Sequence, residues 1–391
     1  MKILHIGKFY PPFAGGMENY MGELLPALAE DGIECLALVH GDPADRKKYT
    51  TTEKIRGVEV RRVPCYGRVL YAPVSPAFGR ALDKAIEDFS PDLIHFHLPN
   101  TSAFLALLSG PAKKIPWVIH WHSDVVPSTK NLRLSAAYAL YRPFEQAMLK
   151  RATAIIATSE RYANASNALK ARSDKTSVIP LGLPGMAVST PHKNNHLDAD
   201  QAPGRVLAIG RLTYYKGFDR LIEAARQLPD VKITIVGAGE LHARLQKQIV
   251  DAGLEARVEL TGALLIAELE ALMAATDVLV LPSIERTEAF GLVLLEAMRA
   301  GKAVIASDIP GSGIGNVVVN GETGVLVKPG DVDALAAAIS DGMKAPDKLR
   351  QYGENGRQRF DEHYRIERIA EKTKALYQRA LLDNVQAVQK R

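Results

Sequence analysis

The chain has 391 residues, 47% of them hydrophobic and 24% charged, with a net charge of +5 and a pI near 9.0. That composition excludes a disordered or collagen-like chain, and no apolar run reaches the roughly 18 to 20 residues that a bilayer span needs. The positive balance favours anionic partners such as phosphates or acidic lipid without choosing among them.

A length of 391 residues exceeds what one hydrophobic core usually serves and fits two domains of about 200 residues each. After Lys2 the opening "ILHIG" is too short for a signal-peptide apolar region and runs into "KFYPP", so it reads as a first strand. Short β-branched runs follow: "IECLALVH", "VEVRRV", "DLIHF", "WVIHWH", "AIIATS" and "TSVIP". Cys35 and Cys65 make no C-x-x-C and no Cys/His cluster at metal spacing, so a reducing cytoplasm is the expected compartment. Residues 1–183 form the expected N-terminal domain, which the resemblance named below makes the acceptor side. Residues 184–203, "PGMAVSTPHKNNHLDADQAP", have turn-forming and polar residues without an apolar period and read as a linker.

Beyond it the alternation restarts with "RVLAIG", "KITIVG", "RVELTG", "DVLVLP", "AVIAS" and "GVLV", each followed by a loop and usually a helical pattern. Residues 204–365 are therefore expected to form a second doubly wound domain, and 366–391 a charged C-terminal helix packing back on the first. Open parallel sheets bind ligands at the carboxyl ends of their strands, and four strand ends carry chemistry here.

The first is "GKFYPPFAGGMENY", where Gly15 and Gly16 open a helical pattern and let backbone N–H groups approach an anion. A plain strand-to-helix turn explains the glycines equally well. The second is "VIHWHSDVV", where His122 stands at a strand end, able to donate to a sugar hydroxyl, and Asp124 could orient it. Alternation puts His120 and His122 on one face, and a satisfied core histidine is the competing reading of either. The third is "IGRLTYYKGFDRLIEA", where Arg211 and Lys216 leave one strand-to-helix loop and suit a diphosphate better than one cation does, unless both are solvated surface charge.

The fourth is "TEAFGLVLLEAM", which sets Glu288 and Glu296 into a stretch otherwise fit for a core. A helix starting near Phe290 would leave Glu288 in the loop and Glu296 two turns in, roughly 9 Å further along the axis. Between them the N–H groups of Phe290, Gly291 and Leu292 would form a helix N-terminus that attracts phosphate. An N-cap acid with one exposed glutamate is the plainer alternative. The helix is apolar nearly all round, however, and a bare buried carboxylate is costly, which argues for a cleft border.

Together, G-R-x4-K-G, E-A-F-G-x4-E, the Gly-Gly loop and the H-x-D strand end resemble the retaining GT-B glycosyltransferases of family 4, also called glycosyltransferase group 1. The likeness runs from Met1 to about Arg365. It implies an α/β chain of two Rossmann-like doubly wound domains facing a central cleft. It further implies that Glu288 meets the donor sugar near its anomeric carbon and that Glu296 accepts from the nucleotide ribose. Arg211 and Lys216 would hold the diphosphate with Gly16 and the 289–292 backbone (Ala289, Phe290, Gly291, Leu292), while Leu264 in "TGAL" would meet the base. His122 would touch the sugar, with Gly15, Asp124 and Tyr10 as further acceptor or sugar candidates.

The expected chemistry is metal-independent hexosyl transfer with no cofactor beyond a nucleotide-sugar donor, since cations and a helix terminus can stabilise the departing diphosphate. Of two D-x-D strings, "DAD" lies in the linker and "DVD" at 331–333 fits a helix start. The wording "WHSDVV" and "PSIERTEAFGLVLLEAM" is similar to bacterial mannosyltransferases that use GDP-mannose to build O-antigen or exopolysaccharide, so mannose is favoured over UDP-sugars. Such enzymes extend undecaprenyl-diphosphate-linked saccharides, which implies a peripheral position at the inner face of the cell membrane and no nucleic acid partner. Residues 130–152 mix Lys130, Arg133, Arg142, Lys150 and Arg151 with Leu, Tyr and Phe, as a segment lying on anionic lipid does, although a core-facing helix with a solvated basic face fits as well; Pro143 is expected to interrupt any single helix there.

Rival readings are a sugar-nucleotide epimerase, a non-catalytic nucleotide-sugar-binding subunit and an NAD-dependent oxidoreductase. For the last, "VGAGELHAR" puts His242 near the place where G-x-G-x-x-G wants its third glycine.

Overall fold

The computed structural model describes residues 1–13, 15–45, 47–69, 72–125, 132–186 and 204–389, with backbone alone at 132–136 and 387–389. Of the expected linker, residues 187–203 lie outside the described residues, and with them "DAD"; Lys130 lies outside as well. The chain divides into two compact units, Met1–Pro184 with Ile366–Arg391, and Gly185–Arg365.

Unit 1 is built on strands β1 (Lys2–Ile6), β2 (Glu34–His40), β3 (Thr51–Ile55), β4 (Val58–Val63), β5 (Arg68–Val69), β6 (Ala72–Pro73), β7 (Leu93–Leu98), β8 (Trp117–Trp121), β9 (Ala154–Ala157) and β10 (Thr176–Val178). Its helices are α1 (Gly16–Glu30), α2 (Phe78–Phe89), α3 (Leu132–Arg151) and α4 (Glu160–Ala165). The main sheet runs β10-β9-β8-β7-β1-β2-β4-β3 and is parallel except at β3. Every residue of β7 and β8 is buried, as near-continuous apolar runs in a sheet covered on both faces should be. The sequence reading has no counterpart for β3. "TTEKI" is polar, largely exposed and paired only to β4, so it has no apolar alternation to betray it.

Unit 2 continues with β11 (Gly204–Ile209), β12 (Val231–Val236), β13 (Val258–Gly262), β14 (Val278–Leu281), β15 (Ala303–Ser307) and β16 (Gly324–Val327). Its helices are α5 (Phe218–Ala225), α6 (His242–Asp251), α7 (Ile266–Ala275), α8 (Leu292–Arg299), α9 (Ile314–Val317), α10 (Val332–Lys344) and α11 (Pro346–His363). The sheet is parallel throughout, in the order β13-β12-β11-β14-β15-β16. Its core joins Val206, Ala208, Leu221, Ile222, Ile233, Ile235, Val280 and Ile339, each valine, leucine or isoleucine side chain contributing about 1.5–3 kcal/mol by leaving water. The order reverses between β11 and β14, the switch point at which such sheets open a crevice beyond their strand ends.

The last helix, α12 (Ile366–Gln389), belongs to unit 1 and packs on α1. Tyr377 is buried and its hydroxyl lies 2.5 Å from His95 Nδ1, while Lys374 pairs with Asp31 at 2.9 Å. Helix α3 passes through Pro143 without stopping, correcting the expected interruption. One missing backbone donor is a local loss, offset where buried Met148 and Leu149 anchor the following turn. Among the described residues no helix is long and apolar enough to cross a membrane.

Candidate functional site

In unit 2 the two strands flanking the switch point each deliver a charged group. Past the end of β11, the loop turns at Thr213–Lys216 and enters α5 through Gly217, which has φ of 68°. A side chain at Gly217 would strike the Pro282 carbonyl at 2.1 Å, so only glycine lets this loop lie against the end of β14. Lys216 then folds back over Gly210, and its Nζ donates to Glu288 Oε2 at 2.5 Å. Ser283 Oγ donates to the same oxygen at 3.1 Å. Sequence reasoning passed over this serine because a lone Ser after a strand has no pattern to mark it.

Lys216 and Glu288 are largely shielded, their side chains 12% and 10% exposed. Desolvation alone would lower the Lys216 pKa, but the charge of Glu288, its hydrogen bond and the more distant Glu296 outweigh it, so the ammonium is held protonated. The Glu288 backbone is fixed as well, its carbonyl accepting from Ser312 Oγ at 2.5 Å.

Helix α8 begins at Leu292, two residues later than expected, because Gly291 takes a left-handed φ of 80° and caps it. Ala289 and Phe290 are buried, and the Ala289 carbonyl accepts from Gly313 N–H at 2.7 Å. Among the described residues, no acceptor engages the N–H groups of Phe290, Gly291 and Leu292. They form an unsatisfied donor set beside the Lys216 ammonium, the arrangement that a phosphate group fills. Glu296, in α8, is half-buried, and its side chain makes no ion pair or hydrogen bond among the described residues. Burial raises its pKa, against the pull of Arg299 and Lys216. Arg211 is exposed on the same loop as Lys216, and Leu264 is half-exposed past the end of β13. Asp331 of "DVD" caps α10, accepting from Ala334 N–H at 3.0 Å, so it is engaged as a helix start.

In unit 1, period-2 alternation places His5 (β1), His95 and His97 (β7), and His120 (β8) on one sheet face, with His122 one residue past β8. The five rings are buried and stack, His120 on His122 at 4.2 Å and 7°, His95 on His97 at 4.4 Å. Burial is the first cause that lowers every one of their pKa values, to about 3 for His5 and His122, so the rings are neutral at physiological pH.

Three expectations in unit 1 change. Asp124 does not orient His122: its Oδ1 accepts from Trp121 Nε1 at 2.8 Å and Ser166 Oγ at 2.6 Å, whereas the partner of His122 is His97, whose Nδ1 is 3.0 Å from His122 Nε2. Tyr10 is fully buried, its ring shut inside the core, and offers no ligand contact. At Gly15 and Gly16 the helix α1 does start, but the Glu18 carboxylate occupies the space against Gly15, where a side chain would meet its Oε2 at 2.2 Å. An anion at that terminus would meet a carboxylate. Gly16 remains open, with nothing within 4 Å of a built side chain.

Two Rossmann-like units in one chain define the GT-B glycosyltransferase architecture. Sucrose-phosphate synthase from Thermosynechococcus elongatus superposes on it with a TM-score of 0.81 at 26% identity, over 98% of this chain and 99% of that one. Residues 191–359 match the family described as Glycosyl transferases group 1, and residues 15–182 match the Glycosyl transferase 4-like domain. The O-antigen chain mannosyltransferase C of Escherichia coli is 30% identical over 385 residues, 96% of this chain and 98% of the relative. D-rhamnosyltransferase WbpZ of Pseudomonas aeruginosa is 30% identical over 367 residues, 92% of this chain and 91% of the relative. The chain belongs to the group 1 glycosyltransferase family.

Proposed function

We propose that this glycosyltransferase moves mannose from GDP-mannose, with retention, to a hydroxyl of a lipid-linked saccharide during O-antigen, exopolysaccharide or related glycan synthesis. The observation that carries the reading is the 2.5 Å contact between Lys216 and Glu288 at the switch point, beside three unengaged amides. A donor laid there puts its diphosphate on Lys216, Arg211 and the amides of Phe290 to Leu292, and its anomeric carbon by Glu288. In this reading Glu296, whose side chain is half-buried, accepts from the ribose, while the loop around Leu264 meets the base. Within unit 1, His122 offers a hydrogen-bonding contact to a sugar hydroxyl, and Gly16 stands open at the start of α1.

The barrier is departure of an anionic diphosphate from an oxocarbenium-like centre, so preorganised positive charge at the leaving oxygen is the lever, and no metal is required in this reading. The anomeric C–O bond to the diphosphate breaks, the acceptor oxygen bonds to the same face, and its proton passes to the departing phosphate oxygen. Mannose is favoured by the wording of the motifs and by the mannosyltransferase named among the relatives. A lipid-linked acceptor is supported by α3, where Leu140 and Phe144 are exposed beside Arg142 and Lys150.

A thermal-shift panel of GDP-mannose, UDP-glucose, an ADP-sugar and NAD, followed by donor hydrolysis, tests the reading. GDP-mannose should give the largest shift, about 2.7 kcal/mol of stabilisation at a hundredfold excess over Kd, undiminished by a chelator. A larger response to UDP-glucose would replace the donor, and a response to NAD alone would overturn the class. Product NMR with an inverted anomeric centre would remove retention, and equal sedimentation with anionic and neutral liposomes would remove the membrane surface.

A further inference from the structure

The buried imidazoles of unit 1 do more than fill space. His122 Nε2 lies 3.0 Å from His97 Nδ1, and His97 Nε2 lies 3.2 Å from His5 Nδ1, a continuous chain from the strand end into the core. At its inner end, His5 Nε2 is buried with no hydrogen-bond partner. At its outer end, His122 Nδ1 makes no hydrogen bond among the described residues, and the residue as a whole is 8% exposed.

Metal binding is the first alternative, since His97, His120 and His122 offer nitrogens within 4.8 Å of one another. Their rings stack, however, at 4.2 Å and 7° for His120 on His122 and 5.3 Å and 23° for His97 on His122. Stacked rings send their in-plane lone pairs side by side rather than to one point, which a tetrahedral ion cannot use.

The chain itself has a direction. Desolvation keeps all three rings neutral, so each carries one N–H and the two hydrogen bonds can run only one way or the other. If they run inward from His122, the last N–H sits on His5 Nε2 with no acceptor. If they run outward, His5 presents only an unused lone pair there, and an orphaned buried donor is the rarer defect in folded proteins. At the outer end no described residue favours either state, so the inner end decides.

We infer that His97 and His5 are positioning residues that hold His122 as its Nδ1–H tautomer, with Nδ1–H presented outward as a fixed hydrogen-bond donor to the sugar or acceptor. The use of that donor rests on the functional reading above. The tautomer does not. His5 Nδ1–H donates to His97 Nε2, His97 Nδ1–H donates to His122 Nε2, and the ring of His122 is locked in orientation and protonation by a hydrogen bond it makes to the core.

Long-range proton–nitrogen NMR on the intact protein labelled with nitrogen-15 histidine reads the tautomers without any assay of turnover. Both His97 and His122 should show a protonated Nδ1 and a bare Nε2; a protonated Nε2 on His122 would overturn the inference in the unmutated protein. Two variants then test the positioning role. His97→Asn, whose amide nitrogen can take the place of Nδ1, should keep the His122 tautomer and most of the turnover, whereas His97→Leu should lose about tenfold in kcat with a smaller change in KM. Equal activity of both with wild type would overturn the positioning role. His122→Ala with undiminished turnover would instead remove His122 from the reading of the site, leaving the tautomer result standing.

Discussion

Beyond the carboxyl ends of β11 and β14, unit 2 shields a lysine with Glu288 against it and Glu296 nearby; along β1, β7 and β8, unit 1 buries five imidazoles with no counter-charge. The same difficulty, a titratable group out of water, is met in the first by pairing and in the second by neutrality. The difference teaches what each region can do. A charged cluster with unsatisfied donors beside it is poised for an anion, whereas a neutral stack can hand on only a hydrogen-bond direction.

The largest way to break the comparison is acid. The imidazole pKa values are depressed in the folded state, to about 3 for His5 and His122 and about 4 for His40, so their contribution is present above the unfolded value of 6.5 and is lost as pH falls below it. Each buried imidazole then costs about 1.4 kcal/mol per pH unit. Both tryptophans, Trp117 and Trp121, lie in unit 1, so their fluorescence should report its unfolding at a higher pH than hydrogen exchange reports loss of unit 2. Coincident transitions, or earlier loss of unit 2, would contradict the contrast.

Next in size is Lys216→Ala, which leaves Glu288 shielded without its cation. Stability of unit 2 should fall by about 3 kcal/mol in chemical denaturation, and donor-induced stabilisation should vanish with it. A variant as stable as wild type would show that the pair is solvated after all.

A smaller effect sharpens the picture of unit 1, which also holds an acid against ionisation. Glu145 on α3 is buried, and burial raises its pKa to about 7, against the Tyr138 hydroxyl that donates to it at 3.3 Å. A raised carboxyl favours the fold fully below the unfolded value of 4.5 and loses that contribution as pH rises through about 7. Glu145→Gln should therefore gain stability over wild type progressively from pH 5 to pH 8, by about 2 kcal/mol at the upper end, read as a widening difference in Tm. A constant difference across that range would refute it.

The smallest effect is a trade at Glu296, whose carboxylate is disfavoured by burial. Glu296→Gln should stabilise unit 2 by about 1 kcal/mol at neutral pH while weakening nucleotide binding about tenfold, measured by calorimetry. Unchanged binding would take the ribose contact away from it.

How far the site was legible follows from the same physics. Glu288 stood out because charge inside an apolar run is expensive and demands a reason, Lys216 because it shares one strand-to-helix loop with Arg211, and the strands before them were plain from their β-branched runs. Glu18 against Gly15 was not legible, since a first-turn acid looks like ordinary capping. Asp124 was misread because two residues of separation past a strand end do not say which way the chain turns, and here it turns to Trp121 and Ser166. His97 escaped because its partner is 25 residues away on the next strand, although alternate histidines in "DLIHFHL" and "WVIHWH" carried the signal. Tyr10 went the other way: its place in the loop before Gly15 and Gly16 does not show that the ring is buried.

The most direct test of the central claim is a paired measurement on Glu288→Gln: donor affinity by calorimetry and transfer rate under single-turnover conditions. The account predicts that affinity changes by less than about tenfold while the rate falls by about a hundredfold or more, the mark of a group that acts at the reacting centre. A variant that transfers sugar at the wild-type rate would contradict it.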